Sequence, residues 1–117
     1  VFKQLLMTAT PDDEQLKDID FLMSLGELFT LVVYGQLILE EARLEGLEAD
    51  LIDQIFDFMV RDFSRHALEL HGKQSATLKQ AELCLKMIRR AAVDQRRYGN
   101  IWTNHVLALN GAYVMNE

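Results

Sequence analysis

At 117 residues, half of them apolar and about a quarter charged, the chain is long enough for one hydrophobic core and too short for two, and its composition excludes an extended disordered tail. The formal net charge of −6 argues against general nucleic-acid binding, which needs a dominant basic face, and no recognition motif is visible. With one Pro in the whole chain, long helices are favoured over many short strands, so an all-α class is expected.

The first helix start is "TATPDDEQL". Thr10 can cap, Pro11 suits the first helical position, and Asp12, Asp13 and Glu14 put negative charge at the positive end of the helix dipole. That helix is expected to run to about Met23. Ser24 and Glu27 then fit a Ser-x-x-Glu capping box opening a second helix over about 25–45, which Gly46 stops. Leu28, Leu31, Val32, Val33, Leu37, Ile38 and Leu39 cover most of its circumference, so it is expected to be the central and most buried helix, with Gly35 letting another backbone approach. Its longest apolar stretch, "LFTLVVYGQLIL" (28–39), is shorter than the roughly 20 residues that span a bilayer, so no membrane span is expected.

A third helix over about 49–71 carries Ile52, Ile55, Phe56, Met59, Phe63, Ala67 and Leu70 on one face. The corner that follows, "ELHGKQSATLKQ", has a Gly-Lys step with Ser75 and Thr77 close behind, like the end of a phosphate-binding loop. A Walker-type loop must leave a strand and enter a helix so that successive amides curl round the phosphates. Here Gly72 follows a helix. It is read as a left-handed C-cap, and Thr77 with Gln80 as the capping box of a fourth helix running to about Arg97. Lys73 and the amides near Thr77 keep a secondary reading as a contact for a phosphate supplied by another domain.

In the fourth helix Leu78, Ala81, Leu85, Ile88 and Ala92 form the expected inward stripe, and Lys79, Lys86, Arg89, Arg90, Arg96 and Arg97 the basic surface. Tyr98-Gly99-Asn100 is expected to break it before a short last helix, about 101–109, that docks Ile101, Trp102, Val106 and Leu109; Gly111 releases the tail. The expected architecture is thus an antiparallel bundle of four main helices plus a short C-terminal one, a single domain over 1–117. Charge is uneven: residues 1–62 hold fourteen acids against four bases, and residues 73–97 seven bases against two acids. The basic segment is expected to lie against acidic helices of its own domain or of a partner subunit, with phosphate or other anions as the alternative.

Catalytic signals are sparse. His66 and His71 stand five apart, off the spacing that puts two ligands on one helix face, and no Glu-x-x-His occurs, so no metal site is expected. Asp62 and His66 have i, i+4 spacing and read as a surface ion contact. Cys84, the single cysteine, is expected in the core and inert, and the chain in a reducing cytoplasm. Ser24, Ser64 and Ser75 lack a glycine-flanked elbow. Val1 opens the chain without an initiator methionine, which suggests a piece of a longer protein.

The segments "LGELFTLVVYGQLILEEA", "VRDFSRHALELHGKQSAT" and "LKMIRRAAVDQRRYGNIW" together resemble the C-terminal helical portion of bacterial acyl-CoA dehydrogenase-like proteins, over about residues 24–114. The resemblance implies a domain that follows flavoprotein domains, helps hold FAD, forms homo-oligomer contacts and lines the acyl chain of acyl-CoA, while a glutamate removes the α-proton and the flavin accepts hydride. Of the family's Gln-x-x-Gly-Gly stretch only Gly72 agrees; Glu69 and Lys73 replace the glutamine and the second glycine, leaving Gly72 and Lys73 as the cofactor-contact candidates. No Glu-Gly-Thr segment follows Ile88, so no catalytic residue is assigned and the isolated chain is expected to be inactive. The rival expectation is a helical ligand-binding or dimerisation domain of a transcription regulator. Either way the apolar circumference of the 25–45 helix implies self-association.

Overall fold

The computed structural model describes residues 1–113; residues 114–117, including the last residue of the resemblance and the end of the tail, lie outside them. The described residues are all-helical. Helix α1 (Phe2–Thr8) is followed by a 3₁₀ turn (Gln15–Lys17), two long helices α2 (Ile19–Glu45) and α3 (Ala49–His71), then α4 (Leu78–Met87) and α5 (Gln95–Ile101). A π-type turn (Trp102–Val106) and a 3₁₀ turn (Leu107–Leu109) complete it.

The helix expected from Thr10 to Met23 is not formed. Thr10 instead donates its hydroxyl to the Leu6 carbonyl at 2.9 Å, closing the end of α1, and Pro11 follows a helix here instead of starting one. The N-cap of α2 is Asp18, whose Oδ1 accepts from the Phe21 amide at 3.2 Å. Its other oxygen accepts from Ser75 Oγ at 2.7 Å, so tertiary contact fixes the start of the helix. Ser24 is therefore a buried residue inside a continuous helix, not a cap.

Gly46 does end α2 in the left-handed conformation, at φ 64°. The chain reverses within three residues, and α3 runs back along α2. Phe21, Leu28, Gly35 and Ala42, seven residues apart, form the buried seam of α2. A seam of period seven is narrow, and the rest of the helix stays open. The expectation that α2 is the most buried helix is overturned: Phe29, Val33, Tyr34, Leu37 and Leu44 are exposed. A Cβ on Gly35 would meet Met59 Cε and Phe56 Cε1 at 3.5 Å, so side chains and not a second backbone approach there.

The core sits at one end of the hairpin. Leu5, Phe21, Leu28, Ala67, Leu70, Leu83, Cys84 and Met87 meet there, from α1, α2, α3 and α4. The expected fourth helix is split. It ends at Met87, residues 88–94 are not helical, and Asp94 caps α5 by accepting from the Arg97 amide at 3.0 Å. Ser64 holds the break from α3: its Oγ accepts from the Arg89 amide and donates to the Arg89 carbonyl, both at 2.8 Å. The inward stripe is rotated as well: Gln80, Leu83, Cys84 and Met87 are buried, whereas Leu78 is 86% exposed. Tyr98-Gly99-Asn100 lies inside α5 and does not break it.

The result is long and open. The radius of gyration is 18.1 Å, against about 13 Å for a compact domain of this length. Helix α2 is long and apolar enough, by length and composition, to cross a membrane, its best 18 residues having a mean hydropathy of 1.7. Weighing only the uninterrupted apolar stretch 28–39 hid this in the sequence.

Candidate functional site

The corner between α3 and α4 is built from satisfied polar groups. Gly72 caps α3 with φ −82°, in the right-handed region, so the left-handed cap expected there is not used. The capping box at Thr77 is formed as expected: Thr77 Oγ1 accepts from the Gln80 amide at 3.2 Å, and Gln80 Oε1 accepts from the Thr77 amide at 2.9 Å.

Gln80 does more than cap. It is buried beside Gln15, which donates Nε2 to Gln80 Oε1 at 2.7 Å and to the Ser75 carbonyl at 2.6 Å. Gln80 Nε2 donates to Gln15 Oε1 and to the Ala9 carbonyl, both at 3.0 Å. The two amides thus staple the N-terminal segment to the corner. Gln80 was visible in the sequence as half of a cap; nothing marked Gln15 as its partner.

Lys73, the candidate phosphate contact, has its ammonium on Asp20 Oδ2 at 2.7 Å, and Ser75 is turned to Asp18. In this arrangement the Lys73 ammonium is engaged by Asp20, Lys79 donates to the Thr8 carbonyl, and the carboxylate of Asp18 stands close by. Asp18 itself is held below the usual carboxylate range, first by the Ser75 hydroxyl and then by the Phe21 amide. Gly72 and Lys73 therefore adjoin one another in a structural corner.

The remaining candidates separate in space. His66 faces Glu69 at 3.3 Å and Glu27 at 3.9 Å, not Asp62, which pairs with Arg61 at 3.2 Å. Cys84 is fully buried, and burial pushes its thiol up to about 11. No three His, Cys, Asp or Glu side chains converge as metal ligands among the described residues.

Along the open half of α3 the basic segment meets acidic side chains of its own chain, as expected. Arg97 is paired with Asp57, and the Arg96 guanidinium grips Asp50 in a fork at 3.1 and 3.2 Å. His105 and Asn100 both reach Glu48. Asp50 is held below its ordinary pKa, chiefly by Arg96, and Glu48 likewise by His105 and then Asn100. Between this half of α3 and residues 89–98 lies a cavity of about 550 Å³, bordered by four arginines. A smaller, apolar groove of about 290 Å³ runs between α2 and α3 past Leu31, Gly35, Phe56 and Met59. No protein-family model, curated protein or solved structure matches the chain.

Proposed function

We propose that the chain is an assembly domain: the C-terminal helical part of a flavoprotein of the acyl-CoA dehydrogenase type, giving packing surface to other domains and to other copies of itself. Dehydrogenation of acyl-CoA at FAD belongs, in this reading, to parts outside this sequence. The observation that carries it is the uncovered apolar face of α2, where Phe29, Val33, Leu37 and Leu44 follow one another at helical spacing in full view of solvent. The chain exposes 8603 Å², about 2,000 Å² more than the roughly 6,500 Å² of a compact monomer of its mass. A stable interface needs about 800 Å² per partner, so the excess is large enough for more than one contact.

The second support is chemical. The buried thiol of Cys84 is held neutral, and Lys73 in the corner after α3 has its cation on Asp20. Neither can take a proton from an acyl-CoA or hold a flavin unaided. The test is the coding sequence that flanks this segment. A flavoprotein domain encoded ahead of Val1 is the expected result, and a helix-turn-helix there would replace this proposal by the regulator reading.

A further inference from the structure

Of the seven bases of residues 73–97, Lys86 stands apart from the cavity and the other six fall into two groups. Lys73, Arg96 and Arg97 are in ion pairs with Asp20, Asp50 and Asp57, and Lys79 donates to the Thr8 carbonyl at 2.8 Å. Arg89 and Arg90 have no acidic partner among the described residues; Arg89 Nη1 donates only to the Ile88 carbonyl, and the Arg90 side chain makes no hydrogen bond there. Both stand on the non-helical segment 88–94, where the predicted helix gives way, and both border the 550 Å³ cavity.

The opposite wall is α3. There Arg61 lies over the Phe58 ring at 5.1 Å from its centroid, and Tyr98 of α5 closes the cavity with an exposed ring stacked on Trp102. Of the four guanidinium groups that border it, Arg97 is paired with Asp57 and Arg61 with Asp62, while Asp94 caps α5, so the groups without an acidic partner among the described residues are those of Arg89 and Arg90. In a chain of net charge −6 this is a local excess of positive charge, concentrated in a concavity whose size suits a small molecule.

We propose that this cavity binds a small phosphorylated ligand with a planar ring, of the nucleoside diphosphate class. Guanidinium groups are forked donors matched to phosphate oxygens, and two of them bordering one cavity supply donors for a diphosphate. The Tyr98 and Phe58 rings give the planar group an apolar surface. This inference rests on the cavity alone and is independent of the flavoprotein reading.

The test is calorimetric titration of the whole chain with ADP, adenosine and inorganic phosphate at low and moderate salt. ADP is expected to bind, more weakly as salt rises, with phosphate weaker and adenosine weaker still. The double variant Arg89→Ala/Arg90→Ala is expected to lose at least about tenfold in ADP affinity, with unchanged circular dichroism. Tyr98→Ala should weaken ADP and leave phosphate unaltered. Should the double variant lose its fold, Arg90→Glu, at a side chain that bonds nothing in the described structure, gives the same readout. Adenosine binding as tightly as ADP, or ADP affinity unmoved by Arg90→Glu, would overturn the proposal. So would an absence of ADP binding together with a changed oligomeric mass in the double variant, which would assign the arginines to a protein partner.

Discussion

Two buried amides set the cost of unfolding the corner. Replacing Gln80 by Ala removes the N3 half of the α4 cap and leaves Gln15 Nε2 and the Ala9 carbonyl short of partners in a dry site. The expected loss is about 2–3 kcal/mol, read from urea unfolding; a change below about 0.5 kcal/mol would mean that water replaces the pair. Cys84 gives a second readout at this scale. With its thiol raised to about 11 and its surface covered, it should resist thiol reagents at pH 8 and react only as fast as the chain opens, whereas immediate labelling would place it outside the core. Capping chemistry at Thr77 and the burial of Cys84 were legible because both follow from local rules. The Gln15–Gln80 pair was not, since its members are 65 residues apart and each alone is an ordinary surface residue type.

Helix α3 was readable from end to end because its apolar residues keep to one face between an acidic start and a glycine stop. Helix α2 was misread at its start because it is apolar nearly all round, so periodicity gave no phase, and Ser24 with Glu27 has the spacing of a capping box; the bond from Ser75 fixes the cap at Asp18 instead. Glycine substitutions test this directly. Gly26 lies inside the continuous helix with no neighbour within 4 Å of an added Cβ, so Gly26→Ala should stabilise by about 0.5–1 kcal/mol. Gly46, at φ 64°, should lose about 1 kcal/mol on the same change, because an L side chain there crowds its own carbonyl. Equal effects at the two sites, measured by thermal unfolding, would contradict these boundaries. The break between α4 and α5 was illegible for another reason: residues 88–93 carry no Pro or Gly, and Ser64 of α3 makes the break from outside.

For the whole molecule, the carboxylates that tie the open half and the corner together set its acid limit. Glu48, Asp50 and Asp18 have folded pKa values below their unfolded ones. The stabilisation they give is therefore present above the unfolded value of about 4 and is lost as pH falls through the lowered folded values. Melting temperature should hold level from pH 7 to 5 and fall below about 4, with Asp50→Asn reducing the drop; a melting temperature that rises on acidification would contradict this. Because these groups are reached by solvent, the effect should also shrink in high salt. The all-helical class was legible from composition and breakers, but the open shape was not, since an apolar helix face looks the same in sequence whether its own chain or another covers it.

That open shape is the basis of the assembly role, and the molar mass of the chain in solution tests it most directly. Multi-angle light scattering across a concentration series should give a dimer or larger species, shifting toward monomer when Phe29 and Leu37 are replaced together by Lys. A monomer with bare α2 at the highest soluble concentration would contradict the account.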